Sequence, residues 1–300
     1  MKKVCSFLAI ICVGFMANFL HGEGRIYSPA EVKKMQQCKL EELQKRGFLV
    51  CLLCDTSNPH VKKAHIADIV RMKETFKEIA QKCQAPIQFV ILQGKELNSK
   101  KIRKMVKKRA ICQNACFVLY YSGGENMAQN MANEYWPMAN LYKKKKKTQA
   151  ASLHDVQVLL QPMQRSHLSF TFFDSYDALL PANKEAAALF QKGADADIHE
   201  GLYDLFSRTS GSITASSKRS GHTAYGVKYH GQYGGIFTLL LCKQLSHISE
   251  TSCMWVDLFK RLSNENEALF TLSSYQAHEK QSVCIDMRRI TQPSLSLRLR

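Results

Sequence analysis

Three strongly apolar runs, Phe48–Cys54, Ile87–Leu92 (broken only by Gln88) and Cys116–Tyr121, constrain this chain more than any other feature. A strand that is apolar on both faces has to be buried on both faces, which happens in parallel sheets covered by helices. Between the first two runs Ile69, Met72, Phe76, Ile79 and Cys83 recur at intervals of three and four, the single buried stripe of a long helix. Between the second and third, Ile102, Met105 and Val106 keep helical spacing inside the basic stretch Lys100–Arg109. Asn98 or Ser99 stands where a capping residue is needed.

The alternation continues. Leu168–Phe173 and Gly211–Ser216 read as a fourth and a fifth strand, and Gly234–Thr238 opens a helix to about Leu245. A helix near Met254 to Leu262 precedes a sixth extended piece near Leu269 to Tyr275. Residues 126–150 read as irregular, followed by a helix from about Ala151 to Met163. Together these predict an α/β, three-layer sandwich: a mainly parallel six-stranded sheet with helices on both faces. Chemistry in such a sheet collects at the carboxyl ends of the strands, here loops 55–60, 122–126, 174–180 and 216–235.

The ends read differently from the body. Met1-Lys2-Lys3, an apolar run from Val4 to Leu20 and the polar stretch from His21 have the order of a secretory signal peptide, predicted over residues 1–24 and cut after Gly22 or Gly24. This implies export, to the periplasm or the medium if the source is bacterial. The same residues 4–20 just reach spanning length, so a membrane anchor is the alternative. Residues 25–46 form a polar, helix-like lead-in, 47–290 the main domain and 291–300 a tail, in which Leu295–Arg300 alternates like a strand.

With 45% hydrophobic and 22% charged residues the chain is not a largely disordered one. Without the signal, the cysteines are Cys38, Cys51, Cys54, Cys83, Cys112, Cys116, Cys242, Cys253 and Cys284, an odd number that cannot all pair. Most sit among apolar neighbours as small buried hydrophobes; a partial disulfide set is the rival reading for an exported chain. Cys51-x-x-Cys54 lies inside a strand, which excludes a helix-opening redox motif, and no second pair faces it at zinc-ligand spacing. No cofactor is expected, and no metal site is identifiable. The net charge of +17 is concentrated in the basic helix and in Lys143, Lys144, Lys145, Lys146 and Lys147, a loop able to meet an anionic surface. Neither run has interleaved aromatics, which disfavours nucleic acid as a partner.

The text Phe117-Val118-Leu119-Tyr120-Tyr121-Ser122-Gly123-Gly124-Glu125 resembles the caspase and metacaspase segment in which an apolar strand leads into Y-Y-S-G-H-G. Phe172-Phe173-Asp174-Ser175-Tyr176-Asp177 resembles their later segment, a strand and then D-x-C-H-S-G. Ile213-Thr214-Ala215-Ser216 and Gly234-Gly235-Ile236-Phe237-Thr238 resemble two further landmarks, an I-T-A strand and a G-x-F-T helix start. The resemblance spans roughly residues 47–275 and implies a caspase-like fold in which a Cys thiol attacks a peptide bond, with a His as its general base.

The departures fall on the chemistry. Gly124 stands at the family's His position and Tyr176 at its Cys position, while Asp177 and Ala178 take the places of the following H and S. No catalytic residue is therefore expected. Ser122, Gly123, Gly124, Asp174, Ser175 and Tyr176 would form a vestigial pocket, with Gly123 kept near an oxyanion site. Asp174 matches a specificity-pocket residue, although an Asp at a strand end also serves as a cap or turn. Tyr176 would leave an aromatic surface for gripping a partner. The leading expectation is an inactive pseudo-peptidase that binds a protein or peptide. The alternatives are an active cysteine peptidase using Cys54 with His60, and a basic protein binding anionic lipid or nucleic acid.

Overall fold

The structure is a computed structural model. It describes residues 29–109, 116–124, 137–143, 147–152, 167–181, 184–189, 199–207, 209–218, 222–248, 254–272, 281 and 283–291. The chain divides into two units, Met1–Cys38 and Lys39–Arg300. The described part of the first is the beginning of helix α1 (Pro29–Arg46), and all of the sheet lies in the second.

Along the second unit come β1 (Phe48–Cys54), α2 (Lys62–Lys82), β2 (Ile87–Gln93), α3 (Ser99–Arg109), β3 (Cys116–Gly123), β4 (Met138–Lys143), β5 (Lys147–Ser152), β6 (Leu168–Ser175) and β7 (Ala178–Pro181). Then follow α4 (Lys184–Ala188), α5 (His199–Ser207), β8 (Ser210–Ser216), β9 (Tyr225–Tyr229), β10 (Gln232–Gly235), α6 (Ile236–Ser246), α7 (Trp255–Leu272) and β11 (Cys284–Thr291). The main sheet has six strands in the order β11-β8-β6-β3-β1-β2. Five run parallel, and β11 pairs antiparallel with β8. This is the mixed α/β sandwich that the apolar runs predict. Every residue of β1 and β3 is buried, as strands covered on both faces must be.

One face of the sheet packs on α2, α5, α6 and α7. Ile69, Met72, Phe76 and Ile79 of α2 are all buried there, and Trp255 lies against Phe170 with ring centroids 4.6 Å apart. The other face packs on Ile102 and Met105 of α3 and on Ala139 and Leu141 of β4. The Asn98 side chain accepts the Lys101 backbone N–H at 2.9 Å, so Asn98 caps the basic helix.

Three expectations need correction. Residues 138–152 are not irregular: β4 and β5 form an antiparallel hairpin that pairs Lys143 with Lys147, and Ala151 and Ser152 belong to β5 instead of opening a helix. The rest of that expected helix, and Lys144, Lys145 and Lys146, lie outside the described residues. The extended piece expected at Leu269–Tyr275 is helical as far as Leu272. Trp255, Leu258, Phe259, Leu262, Leu269 and Phe270 are all buried at helical intervals, and that continuous stripe outweighs the polar Ser263–Glu267 stretch in its middle. The sixth strand of the sheet is β11, which runs to Thr291. The alternating tail and the apolar run 4–20 also lie outside the described residues. Among the described residues no helix is long and apolar enough to cross a membrane.

Candidate functional site

Register brings the sequence-selected loops together at the carboxyl edge. Ser122 pairs with Asp174 and Gly123 with Ser175 across β3 and β6, and Cys54 at the end of β1 pairs with Ser122. Just past the strands, Tyr176 N–H donates to Gly123 C=O at 3.2 Å. Ser122, Gly123, Gly124, Asp174, Ser175 and Tyr176 thus form one cluster, and all six are buried.

Tyr176 is sealed, not presented. Its ring is 0% exposed and lies 4.4 Å, centroid to centroid, from the imidazole of His65. The slot depends on two glycines. A Cβ on Gly226 would come within 2.7 Å of Tyr176 Cε2, and a Cβ on Gly235 within 2.6 Å of Cε1. The expected aromatic gripping surface is therefore absent at Tyr176. Strand alternation sends its side chain inward beneath α2, where burying an aromatic ring outweighs exposing it.

The phenol meets a carboxylate that sequence reading did not single out. Tyr176 Oη donates to Asp68 Oδ2 at 2.6 Å, and the same oxygen accepts from Ser122 Oγ at 3.1 Å. Gly235 N–H donates to both Asp68 oxygens, at 3.0 and 3.1 Å, and Arg71 pairs with Oδ1 at 3.2 Å. Because Ser122 gives its proton to Asp68, it accepts from His65 Nδ1 at 3.0 Å. That fixes the proton on Nδ1 and leaves Nε2 buried with no hydrogen-bond partner. His65 and Asp68 sit three residues apart on one face of α2. Polar residues inside the helix's apolar stripe were the signal that could have found them.

Asp174 is occupied at one oxygen. Its Oδ2 accepts the Thr238 N–H at 3.1 Å and the Thr238 hydroxyl at 2.6 Å, while Tyr120 Oη lies 2.5 Å from that hydroxyl, and its Oδ1 is buried with no hydrogen-bond partner. Gly235 is the N-cap of α6 and Thr238 its third residue. Asp68 and Asp174 therefore reproduce a capping box with side chains from α2 and β6, each taking one N–H that the first turn of α6 leaves unpaired. Burial raises both carboxyls above the usual Asp range. Asp68's charge pushes Asp174 further, whereas Arg71 and the hydrogen bonds from Tyr176, Gly235 and Ser122 pull Asp68 back. Burial pushes His65 down to about 3, so it stays neutral.

The substitute pair is differently placed. Cys54 is buried in the core, its one hydrogen bond a 3.9 Å contact to Asp55 C=O, and burial with the nearby Asp68 and Asp55 charges pushes its thiol up to about 12. His60 is exposed, its backbone N–H held by Asn58. On the opposite face, Asn140 of β4 donates to Asp55 Oδ2 at 3.0 Å and to Gly124 C=O at 3.2 Å. Tyr121 Oη donates to Gly124 C=O at 2.9 Å, so the hairpin is strapped across the end of β3. Any Cβ at Gly124 would press on Asp177 Oδ1. Among the described residues no group of three or more His, Cys, Asp or Glu side chains could hold a metal ion. None of the seven described cysteines is in a disulfide.

No protein-family model matches the chain, and no curated protein does. Solved structures do. A structure of pro-sf-caspase-1 superposes with a TM-score of 0.50 at 12% identity, over 82% of this chain and 93% of that one. The crystal structure of caspase-1 from Spodoptera frugiperda gives 0.48 at 14% identity, over 81% of this chain and 89% of that one. The chain has a caspase-like fold.

Proposed function

We propose that this protein is an exported, catalytically inactive pseudo-peptidase on a caspase-like scaffold, and that it acts by binding a protein or peptide partner. The observation that carries the reading is the fate of the position given to the nucleophile: Tyr176 is 0% exposed and donates its proton to Asp68 at 2.6 Å. A nucleophile needs an accessible lone pair and a base poised to take its proton. Burial holds this phenol well above its ordinary pKa of 10, with the Asp68 and Asp174 charges adding to it. The neighbouring base position carries glycine. Asp174, the residue matched to a specificity pocket, is buried and its Oδ2 caps α6.

Cys54 with His60 is the rival reading, and it lacks a reactive thiolate: at a pKa of about 12 almost none forms at neutral pH. The basic-surface reading rests on the lysine run 143–147, of which Lys143 and Lys147 pair across the β4–β5 hairpin.

The test is restoration. Gly124→His combined with Tyr176→Cys, with Asp177→Ala to clear the space next to Gly124, is expected to gain peptidase turnover that the unmodified protein lacks. Turnover of equal rate in the unmodified protein would contradict the proposal.

A further inference from the structure

Strand β2 ends the six-stranded sheet, and among the described residues no strand lies along its outer side. Pairing with β1 determines which backbone groups face out. Pro86 C=O accepts from Phe48 N–H at 2.8 Å, and Phe48 is opposite Ile87. In a parallel pair the inward groups then belong to Gln88, Val90 and Leu92, and those of Ile87, Phe89, Ile91 and Gln93 point away from β1.

Free edges are ordinarily blunted by charge, proline, a bulge or shortness. Strand β2 reads Ile-Gln-Phe-Val-Ile-Leu-Gln, seven residues in unbroken register, with no charge, glycine or proline. Ile91 is 39% exposed on it. Such an edge is a template for another strand, and its flanks say which kind. Helix α3 packs its apolar side on this sheet and exposes Lys100, Lys101, Arg103 and Lys104, of which Lys101 pairs with Glu96 at 2.7 Å. On the other face Lys73 Nζ lies 6.0 Å from the Phe89 ring centroid. A second copy added antiparallel would be related by a two-fold axis normal to the sheet. It would set two basic α3 helices side by side on one face, which opposes self-pairing.

We propose that β2 is a docking edge for an extended segment of a partner protein: an alternating, uncharged strand flanked by aspartate and glutamate. Main-chain hydrogen bonds to Phe89 and Ile91 would supply the pairing, and the basic residues of α3 and Lys73 would select the acidic flanks. This inference is independent of the carboxyl edge, so its failure leaves the inactive-scaffold reading standing.

The probe is a synthetic peptide with a Thr-Val alternation between Asp-Glu ends, titrated calorimetrically against the full chain and followed by amide hydrogen exchange. Saturable binding that weakens with salt and slows exchange at Phe89 and Ile91 is expected, and the same peptide with Lys-Arg ends should bind far less. Ile91→Pro removes an outward N–H at a position where an edge strand tolerates proline, and should weaken binding about tenfold or more. Arg103→Glu with Lys104→Glu alters only exposed side chains and should weaken it as well. No binding, binding that both variants leave unchanged, protection confined to residues 177–181, or a dimer that Ile91→Pro dissolves would each overturn the proposal.

Discussion

Tyr176 Oη and Asp68 Oδ2 lie 2.6 Å apart in the interior, joining the residue just past β6 to the N-terminal third of α2. The pair is fully buried, so the phenol is one of the groups that make a carboxylate tolerable at that depth. Tyr176→Phe keeps the ring in its slot and removes one donor. It is expected to destabilise the fold by about 1.5–3 kcal/mol, the range for a hydrogen bond to a charged group, read as a shift in the denaturant midpoint at unchanged slope. An unchanged midpoint would mean that Asp68 does not depend on the tyrosine.

Gly235 illustrates close approach without unusual backbone: its φ of −69° suits any residue, but a Cβ there would collide with Asp174 and Tyr176. Gly235→Ala should therefore cost about 1–3 kcal/mol through overpacking, despite alanine's lower unfolded-state entropy. Thermal unfolding followed by near-ultraviolet circular dichroism would measure it, because the same rings report on packing.

Acid and base act on the cluster with opposite signs. His65 is held at about 3 in the folded protein against an ordinary 6.5, so the unfolded chain binds the extra proton and stability falls as pH drops between those values. Asp174 is raised, so the folded state keeps a proton the unfolded chain has lost. Its contribution is complete below the ordinary Asp value and disappears as pH rises through the raised one. His65→Leu should flatten the acid side of a stability–pH curve, and Asp174→Asn the more alkaline side. Parallel curves for wild type and both variants would refute the assignment.

Thiol chemistry gives an independent check. With Cys54 buried and its thiol near 12, a soluble thiol reagent at neutral pH should label Cys38, the described thiol that is exposed, and leave Cys54 unmodified until the protein unfolds. Peptide mapping after labelling in the presence and absence of denaturant would show it. Prompt labelling of Cys54 in the folded protein would reopen the substitute-nucleophile reading.

The sheet was legible because strands buried on both sides leave continuous apolar runs and α2 leaves a clean stripe. The register of Ser122 beside Asp174 followed from where those runs end. The hairpin was missed because Ala139 and Leu141 are only two inward positions beside a lysine run. The length of α7 was missed because five consecutive polar residues, Ser263–Glu267, interrupt its stripe, although Asn266 among them is buried. His65 and Asp68 are a different case: their place inside the apolar stripe of α2 marks them as buried, but their partners Ser122, Tyr176 and Gly235 converge from other elements, and that long-range pairing leaves no local pattern.

Losing base and nucleophile together costs on the order of 10⁶-fold in a well-studied serine protease, more than the remaining backbone donors near Gly123 can restore. The most direct test is turnover by the unmodified, purified protein on a broad peptide library, run with a thiol-directed activity probe. The account predicts no cleavage above background and no probe adduct at Cys54. Cleavage that disappears in Cys54→Ala or Ser175→Ala would contradict it.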